Sequence, residues 1–224
     1  MLMIRNLILS GGVAHDYAST SKMLVKILDE ASIESETVED FKILTEERLQ
    51  RFDVLTLNCV RWSCKQNPEW SDWAFEISPE QIAGILKFLR SGKGLVAIHA
   101  ASINFDTWPE YGEILGGHWT WGHSAHGPYQ LYKIHVVDAS HPIMRSVTDF
   151  EISDELYHTL TITGDIHVLA TSVWEEKVHA IAWTNAYGTA RIYYNALGHD
   201  LKSFECRPFQ KLLRQGVLWA SMVI

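Results

Sequence analysis

The chain has 224 residues and a formal net charge of −8 at pH 7, with 47% hydrophobic and 21% charged residues. This length and balance are typical of a soluble globular protein with one substantial core. The negative charge and the lack of a basic patch argue against a nucleic-acid partner, which would need a basic face.

The cysteines and the N-terminal segment give an expectation of the cellular compartment. Cys59, Cys64 and Cys206 are odd in number and wrongly spaced for a disulfide framework or a CxxC zinc site, which fits a reducing cytoplasm. Residues 1–12 have a short apolar run that reaches turn glycines too soon for a signal peptide or a membrane span, so we expect no membrane partner. Nothing resembles a linker, and we expect a single domain over residues 1–224.

The first third of the chain predicts a β–α–β opening. Residues 3–10 are apolar enough for a strand, and the two glycines after them mark a tight turn that His15 follows. Apolar residues at helical spacing predict a helix over residues 19–31. The next expected elements are a strand at 33–38, a short helix at 45–51 and a strand at 53–58 that ends at Asn58. Residues 60–75 then depart from this pattern, with three tryptophans in a polar segment.

The stretch GKGLVAIHAAS, residues 92–102, predicts the central strand. Gly94–Ile98 is an uninterrupted apolar run, which is typical of a strand buried on both faces in a parallel sheet. A helix over residues 79–90 precedes it, with Ser78 as N-cap and Pro79 at the first helical position. His99 would emerge at the carboxyl end of the strand, where ligands bind in open α/β sheets.

Extended segments dominate the second half of the chain after a long loop. A short helix is expected at residues 109–115, followed by a loop that holds His118, His123 and His126. Loops of this length are usually functional or disordered, and the density of aromatic residues argues against disorder. The expected strands lie at 129–137, 150–152, 156–159, 167–173, 180–184 and 191–196, and an amphipathic helix at 209–222 closes the chain.

Three predicted strands end in a histidine, namely His15, His99 and His199. If these strands are neighbours in one parallel sheet, their side chains converge on one crevice. Imidazole ligates metals, acts as an acid or base near neutral pH, and hydrogen-bonds substrates, so we expect these three to be catalytic. An isolated histidine would more often be structural. That is what we expect of the histidines in or beside later strands, His135, His141, His167 and His179.

A carboxylate completes this group. Asp154, Glu155 and Tyr157, in the segment SDELYH, supply the other candidate acid or base. Two carboxylates followed by a tyrosine suit a sugar site or the surroundings of a metal, although a solvated turn is an equal alternative. We predict that His99, Glu155 and His199 bind a divalent metal, zinc or manganese, with a position open for water or a sugar oxygen. The alternative is that the same groups act as acid and base without a metal. His15 is predicted to lie nearby.

Six of the nine tryptophans fall in irregular segments on the side where the strands end. Flat apolar rings with polar neighbours commonly bind sugar faces, although a structural use of these rings is an equal alternative. We predict that residues 62–73 and 118–127 line the mouth of the crevice and set substrate choice. The predicted substrate-binding residues are Asn58, Trp62, His118, Trp119, His123, Tyr157 and Asp200.

Several motifs together resemble one family in order and spacing. They are GLVAIHAAS, EYGEILGGHW, DASHPIM, FEISDELYH, HVLATS, AIAWTNAYGTARIYYNALGHD and LLRQGVLWA. They resemble the ThuA-like (trehalose-utilisation) family over residues 1–220. The resemblance implies a class I glutamine amidotransferase-like fold, a flavodoxin-like three-layer α/β sandwich with a mostly parallel central sheet. That fold places a nucleophilic cysteine after the central strand, and this chain has His99 there, so we do not expect a glutamine amidotransferase.

The resemblance also implies a function and recurring polar positions. It implies catabolism of trehalose-type disaccharides or of their 3-keto derivatives, which a partner sugar dehydrogenase would supply, with no nucleotide cofactor. The family's recurring polar residues fall on His15 in GGVAHD, His99 in AIHAA, His118 in GGHW, Glu155 in DELY and His199 in LGHD. The segment WTWGHSAHG is more elaborate than the family's usual loop, so substrate preference is expected to be particular to this protein.

Three hypotheses remain open from the sequence. The first is an enzyme that cleaves or isomerises a keto-sugar glycoside by hydrolysis, elimination or isomerisation, because a 3-keto group acidifies the neighbouring C–H for a histidine or glutamate base. The second is a non-catalytic sugar-binding or regulatory protein that lacks the nucleophile. The third is a hydrolase that uses Cys59. The oligomeric state is also open, and a homo-oligomer is one of the expectations.

Overall fold

The structure is a computed structural model that describes residues 3–224; residues 1 and 2 of the expected domain lie outside it. The described residues form an α/β fold whose strands and helices alternate in the first half. The strands are β1 (Ile4–Gly11), β2 (Ile33–Val38), β3 (Val54–Cys59), β4 (Gly94–Ile98), β5 (Gly117–His118), β6 (Ala125–His126), β7 (Gln130–Val136), β8 (Phe150–Asp154), β9 (Tyr157–His158), β10 (Thr161–Ile162), β11 (His167–Trp174), β12 (Lys177–Tyr187) and β13 (Ala190–Asn195). The helices are α1 (Tyr17–Asp29), α2 (Glu46–Leu49), α3 (Pro79–Arg90), α4 (Glu110–Leu115), α5 (Leu201–Glu205) and α6 (Arg207–Ala220).

Nine of these strands form one mixed sheet in the order β2-β1-β3-β4-β13-β12-β11-β7-β8. The pairs from β2 to β13 are all parallel, so five neighbouring strands make a parallel core. The pairs from β13 to β8 are antiparallel. The carboxyl ends of β1, β3, β4 and β13 therefore lie at the same edge of the sheet. The predicted convergence of His15, His99 and His199 depends on this arrangement.

The strand β4 lies inside this core with a parallel neighbour on each side, as the apolar run predicted. Each of its residues is buried, and it pairs with β3 on one side and β13 on the other. The helices α1 and α6 contact each other and pack on the strands of the parallel core, and α4 packs on β12 and β13. The arrangement is the expected three-layer sandwich.

Local sequence signals account for the helix that precedes β4. The Ser78 hydroxyl accepts the N–H of Gln81 at 3.2 Å, and the Gln81 side chain accepts the N–H of Ser78 at 2.8 Å. This capping box satisfies backbone donors that would otherwise have no partner at the start of α3. The chain therefore enters β4 from a helix whose start is fixed by its own residues.

Strand lengths in the antiparallel half differ from the expectation. The strand β12 has 11 residues, Lys177–Tyr187, whereas periodicity predicted five at 180–184. Its end residues, 177–179 and 185–187, are exposed or partly exposed and lack a strand signal of their own. They are extended because they pair with β11 and β13, and a local pattern does not contain that pairing. Among the helices of residues 3–224, none has both the length and the apolar character that a membrane crossing requires.

Candidate functional site

Four side chains from distant parts of the chain meet at the carboxyl edge of the sheet. His15 follows β1, His99 follows β4, Glu155 follows β8, and His199 follows β13. One potential ligand atom from each lies within 4.8 Å of those of the other three. The ring centroids of His15 and His99 are 5.0 Å apart, and those of His99 and His199 are 5.6 Å apart. The structure thus brings together the four residues predicted to be catalytic, which we call the His/Glu cluster.

His99 is held in one orientation by the turn that carries it. Its φ of 49° lies in the left-handed region, which is strained for a residue with a Cβ atom and is typical of functional turns. Its Nδ1 lies 2.7 Å from the carbonyl oxygen of Ala196, and a carbonyl only accepts, so Nδ1 carries the proton and donates. The lone pair of Nε2 is therefore available, and within residues 3–224 this atom has no hydrogen-bond partner.

Glu155 and His199 form an ion pair beside His99. Their Oε2 and Nδ1 atoms are 3.1 Å apart, and the same Oε2 lies 4.0 Å from His99 Nε2. Burial works against the charge on each partner, but the mutual interaction outweighs it and lowers the pKa of Glu155 while raising the pKa of His199. The pair therefore favours the imidazolium–carboxylate form and can hold or release a proton.

The other two imidazoles favour the neutral form. Burial, followed by the neighbouring His199, lowers the pKa of His15 to about 4. Burial, followed by the neighbouring His15, lowers the pKa of His99 well below its ordinary value. Neutral imidazole is the form that ligates a metal or accepts a proton.

The donor set fits a divalent cation. Three imidazoles and one carboxylate are ligands that zinc and manganese accept, and the hydrogen bond from His99 Nδ1 to a carbonyl is the usual outer support of a metal-binding histidine. Two ligands of one zinc ion are at most about 4.4 Å apart, because each bond is about 2.0–2.2 Å long. The widest separation here is 4.8 Å, so shifts of a few tenths of an ångström would suffice.

Asp154 joins the segments that carry Glu155 and His199. It is fully buried, and its carboxylate accepts the N–H groups of Glu155 at 2.8 Å, Gly198 at 2.8 Å and His199 at 3.3 Å. Burial raises its pKa to about 7, even though these backbone hydrogen bonds stabilise the charged form. Asp154 therefore fixes the backbone on both sides of the ion pair.

A crevice of about 210 Å³ opens above the His/Glu cluster, and we call it the inner crevice. Its lining residues are Val13, Ala14, His15, Val60, Trp62, Asn67, Trp70, Ala100, Ile103, Trp119, Trp121, His126, Glu155, Tyr157 and His199. The ring of Trp62 stacks on that of Trp121 with centroids 5.9 Å apart, and Trp119 packs against Tyr157 at 5.0 Å. The crevice is therefore walled by flat aromatic rings.

Three residues that line the inner crevice carry buried polar atoms without partners. In the described part of the chain, Trp62 Nε1, Trp119 Nε1 and Asn67 Oδ1 are buried and have no hydrogen-bond partner. A buried polar atom of this kind costs free energy unless a partner satisfies it. Apolar rings combined with a few such donors and acceptors match the faces and hydroxyl groups of a sugar.

Three of the seven predicted substrate-binding residues, Trp62, Trp119 and Tyr157, line the inner crevice. Trp62 is only 1% exposed. Tyr157 is buried, and its ring lies 4.1 Å from that of His99. Substrate contact by these residues stays a prediction.

Four other predicted substrate-binding residues do not line the inner crevice. Asn58 is buried and donates to the hydroxyls of Thr20 and Ser21, because its side chain points to α1. Asp200 accepts the N–H of Ser203 as the N-cap of α5. The remaining two are His123, which is exposed in a turn, and His118, which lines a neighbouring crevice.

Sequence reasoning placed His126 in the loop 118–127 at the mouth of the crevice but did not single it out as a site residue. Its Nδ1 lies 3.6 Å from Glu155 Oε1, and its side chain is 48% exposed at the rim of the inner crevice. It reaches this position because β6 pairs with β9, which sets His126 opposite Tyr157. These are two-residue strands, and the only sequence signal was the histidine-rich loop.

Cys59 does not have the properties of a nucleophile. It is fully buried at the end of β3, and its sulfur accepts a hydrogen bond from Asn104 at 3.4 Å. Burial raises the pKa of its thiol to about 12, so the thiolate is not populated near neutral pH. The geometry therefore disfavours a hydrolase that uses Cys59.

Comparisons with known proteins address the family and the fold. The sequence model of a family described as "ThuA: Trehalose utilisation" matches residues 5–220. A crystal structure of a ThuA-like protein from Parabacteroides merdae ATCC 43184 superposes with a TM-score of 0.83 at 21% identity, covering 98% of this chain and 90% of that one. A ThuA-like protein from Bacteroides uniformis ATCC 8492 gives a TM-score of 0.75 at 18% identity, covering 97% and 91%.

More distant structures share the fold alone. A catalytic mutant of a GH42 β-galactosidase from G. stearothermophilus gives a TM-score of 0.62 at 15% identity, covering 98% of this chain but 30% of that one. A protein from Salmonella typhimurium LT2 that is described as cytoplasmic gives 0.69 at 14% identity, covering 97% and 99%. Among curated proteins, no sequence matches this chain. The fold is therefore the ThuA-like, class I glutamine amidotransferase-like one.

Proposed function

The chain belongs to the ThuA family of trehalose utilisation, and from this premise we propose that it is a sugar-catabolic enzyme that acts on a trehalose-type disaccharide or its 3-keto derivative. The observation that carries the proposal is that three members of the His/Glu cluster, His15, Glu155 and His199, line an aromatic crevice, while the fourth, His99, is buried against the rings of His15 and His199. Sugars suit such a crevice, because their apolar faces stack on rings while their hydroxyls need donors and acceptors.

The proposed chemistry begins with a proton next to a ketone. In a 3-keto glycoside, the C–H at carbon 2 is acidic because the resulting charge moves onto the keto oxygen. The Nε2 lone pair of His99 is oriented by the hydrogen bond from Nδ1 to Ala196, so His99 is our candidate base. Glu155 is the second candidate, since its carboxylate is charged and lies 4.0 Å from that atom.

The electron pair can then expel the glycosidic oxygen at carbon 1. The C–H bond at carbon 2 and the C–O bond at carbon 1 break, a double bond forms between the two carbons, and the departing oxygen takes a proton. The imidazolium of His199 is the candidate donor, because Glu155 stabilises its protonated form. Adding water to the product would complete a hydrolysis, and returning the proton to another carbon would give an isomerisation.

A divalent cation bound by His15, His99, Glu155 and His199 would stabilise the negative charge on the keto oxygen as a Lewis acid. Three features support a cation: the mixed nitrogen and oxygen donor set, the neutral state of His15 and His99, and the outer hydrogen bond of His99. A cation held by these four residues would use the lone pair of His99 Nε2 and would need neutral His199, so the proton transfers above belong to the metal-free cluster.

The experiment combines metal analysis with substrate turnover. Purified protein would be assayed for zinc and manganese by mass spectrometry and for turnover of 3-keto-trehalose and of trehalose by chromatography. We expect turnover of the keto sugar and its loss in His99→Ala and His199→Ala, with unchanged circular dichroism. His135→Ala is the matched control, because His135 pairs with Asp149 on the surface.

Two outcomes would contradict the proposal. Sugar binding without turnover of either substrate would favour a non-catalytic sugar-binding or regulatory protein. Full activity in both His99→Ala and His199→Ala would place the chemistry outside the His/Glu cluster.

A further inference from the structure

A second crevice lies beside the inner crevice and shares part of its wall. It has a volume of about 440 Å³, and we call it the outer crevice. Ile103, Trp119 and Trp121 line both crevices. The rings of Trp119 and Trp121 meet edge to face with centroids 5.9 Å apart, so this pair forms the boundary between the two spaces.

The inner crevice alone is small for a two-ring ligand. Pockets that bind small molecules usually measure about 300–1,000 Å³. The inner crevice measures about 210 Å³, and His15, Glu155 and His199 of the His/Glu cluster form part of its lining. It has room for the reacting ring, and a second ring requires the adjoining space.

The walls of the outer crevice have the same chemical character as those of the inner one. Phe105, Trp108 and Tyr111 add aromatic surface from the segment that follows β4 and from α4. Trp108 is 5% exposed, and within residues 3–224 its indole N–H has no hydrogen-bond partner. His118 Nδ1, in the same lining, has none there either. A buried donor of this kind is expected to find a partner.

Other polar groups of this lining already have partners. The Asp106 carboxylate accepts the N–H and the hydroxyl of Ser63 at 2.8 and 2.6 Å. The Tyr111 hydroxyl donates to the carbonyl of Ala101 at 2.8 Å. These bonds fix the walls. In residues 3–224 the indole N–H groups of Trp108 and Trp119 and Nδ1 of His118 in this lining are buried without a partner, and a ligand hydroxyl pairs with them once the wall around them shifts slightly.

We propose that the outer crevice is a second sugar subsite, which binds the non-reacting ring of the substrate through Trp108 and His118. This inference rests on the proposed function, because it assigns the reacting ring to the inner crevice. A two-ring glycoside then contacts both sides of the Trp119–Trp121 boundary, and a one-ring glycoside contacts the inner side only.

The test compares two substrates in Trp108→Phe, which keeps an aromatic ring and removes the N–H donor. The substrates are 3-keto-trehalose, with two rings, and methyl 3-keto-α-glucopyranoside, with one. We expect the KM for the two-ring substrate to rise about fivefold, the usual effect of losing one neutral hydrogen bond. The kcat/KM for the one-ring substrate should stay unchanged. Trp73→Phe is the control, because Trp73 is 43% exposed and lines neither crevice.

Equal losses on both substrates in Trp108→Phe would indicate a general structural defect, and no loss on either would exclude the indole N–H from binding; both results would overturn the subsite. If wild-type protein turns over neither substrate, the proposed function fails. Calorimetric titration with trehalose and with methyl α-glucopyranoside then tests the subsite separately. Tighter binding of trehalose that is lost in Trp108→Phe supports it, and equal affinities overturn it.

Discussion

Asp154 acts on the candidate site through the backbone rather than by contact with a ligand. Its carboxylate accepts N–H groups on both sides of the Glu155–His199 pair, as described above. In Asp154→Asn, the NH₂ group would face one of these donors and leave it without an acceptor. We expect a loss of about 1–3 kcal/mol in the free energy of unfolding, measured in urea. Because the ion pair would shift, kcat should also fall about 10- to 100-fold, the usual cost of losing an outer support.

Asp40→Asn is the control for Asp154→Asn. Asp40 accepts the N–H of Lys42 at the exposed start of a short helical turn, and asparagine caps helices about as well as aspartate. Stability and kcat should match the wild type. If Asp154→Asn loses stability but keeps the wild-type kcat, Asp154 supports the fold and does not position the site.

Cys59 is expected to be unreactive, because its thiol is fully buried and burial raises its pKa to about 12. Iodoacetamide at pH 7.5 should therefore label Cys206, which is partly exposed, well before Cys59, and keto-sugar turnover should persist. Peptide mass spectrometry reports which thiol reacts. If turnover is lost in parallel with the labelling of Cys59, the result would support a mechanism in which Cys59 is the nucleophile.

At the scale of elements, β4 and α6 approach each other closely at Gly94. A Cβ atom on Gly94 would lie well within 3.0 Å of the backbone of Ala220, near the end of α6. We expect Gly94→Ala to cost about 1–3 kcal/mol in unfolding free energy, the usual effect of overpacking a core. Gly164→Ala is the control, because a Cβ there meets only one side-chain atom at 4.0 Å. Equal stability of the two variants would show that α6 can shift away from β4.

The elements that the sequence predicts well are those whose signals are local. The apolar run Gly94–Ile98 is fully buried because β4 lies between β3 and β13 in the sheet and α6 packs on it. The cap at Ser78 fixes the start of α3 without help from the rest of the chain. His15, His99 and His199 could be brought together from sequence because the carboxyl ends of parallel strands share one edge.

The elements that the sequence could not predict depend on pairing between distant segments. His126 enters the site only because the two-residue strands β6 and β9 pair. Asn58 ends a strand at the correct edge, yet its side chain faces α1, since alternate residues point to opposite faces. The strand order of the antiparallel half likewise follows from tertiary pairing. The hydrophobic periodicity of a segment does not show which other strand it pairs with.

At the scale of the whole molecule, stability at low pH should depend on a contact that joins two distant segments. The Asp138 carboxylate accepts the hydroxyl of Ser140 at 2.5 Å and His167 Nε2 at 2.9 Å. The two hydrogen bonds lower the pKa of Asp138 to about 2, and the bond from Ser140 has the larger effect. A carboxyl whose pKa is lower in the folded state stabilises above its ordinary pKa of about 4, and the stabilisation disappears as the pH falls towards 2.

Asp138→Asn should therefore be less stable than the wild type at pH 6, and the difference should vanish between pH 4 and pH 2. Urea unfolding at each pH measures it. Asp165→Asn, at an exposed position, should match the wild type throughout. A difference for Asp138→Asn that is constant with pH would assign its effect to something other than the charge.

The His/Glu cluster joins four segments that are far apart in the chain, at positions 15, 99, 155 and 199. A cation held there would bind the folded chain much better than the unfolded one, since unfolding separates the ligands. Zinc or manganese at 100 times its Kd should stabilise the protein by about 2.7 kcal/mol. For a chain of this size that corresponds to a rise in Tm of about 5–10 °C, measured by scanning calorimetry.

His199→Ala should lose most of this rise in Tm, and His135→Ala should keep it, because His135 pairs with Asp149 on the surface. An equal rise in wild type and His199→Ala would mean that the cation binds elsewhere. No rise in the wild type would leave the cluster as an acid–base group, and the ion pair of Glu155 with His199 would then be its working form. The Tm measurement thus separates the metal hypothesis from the acid–base one without requiring a substrate.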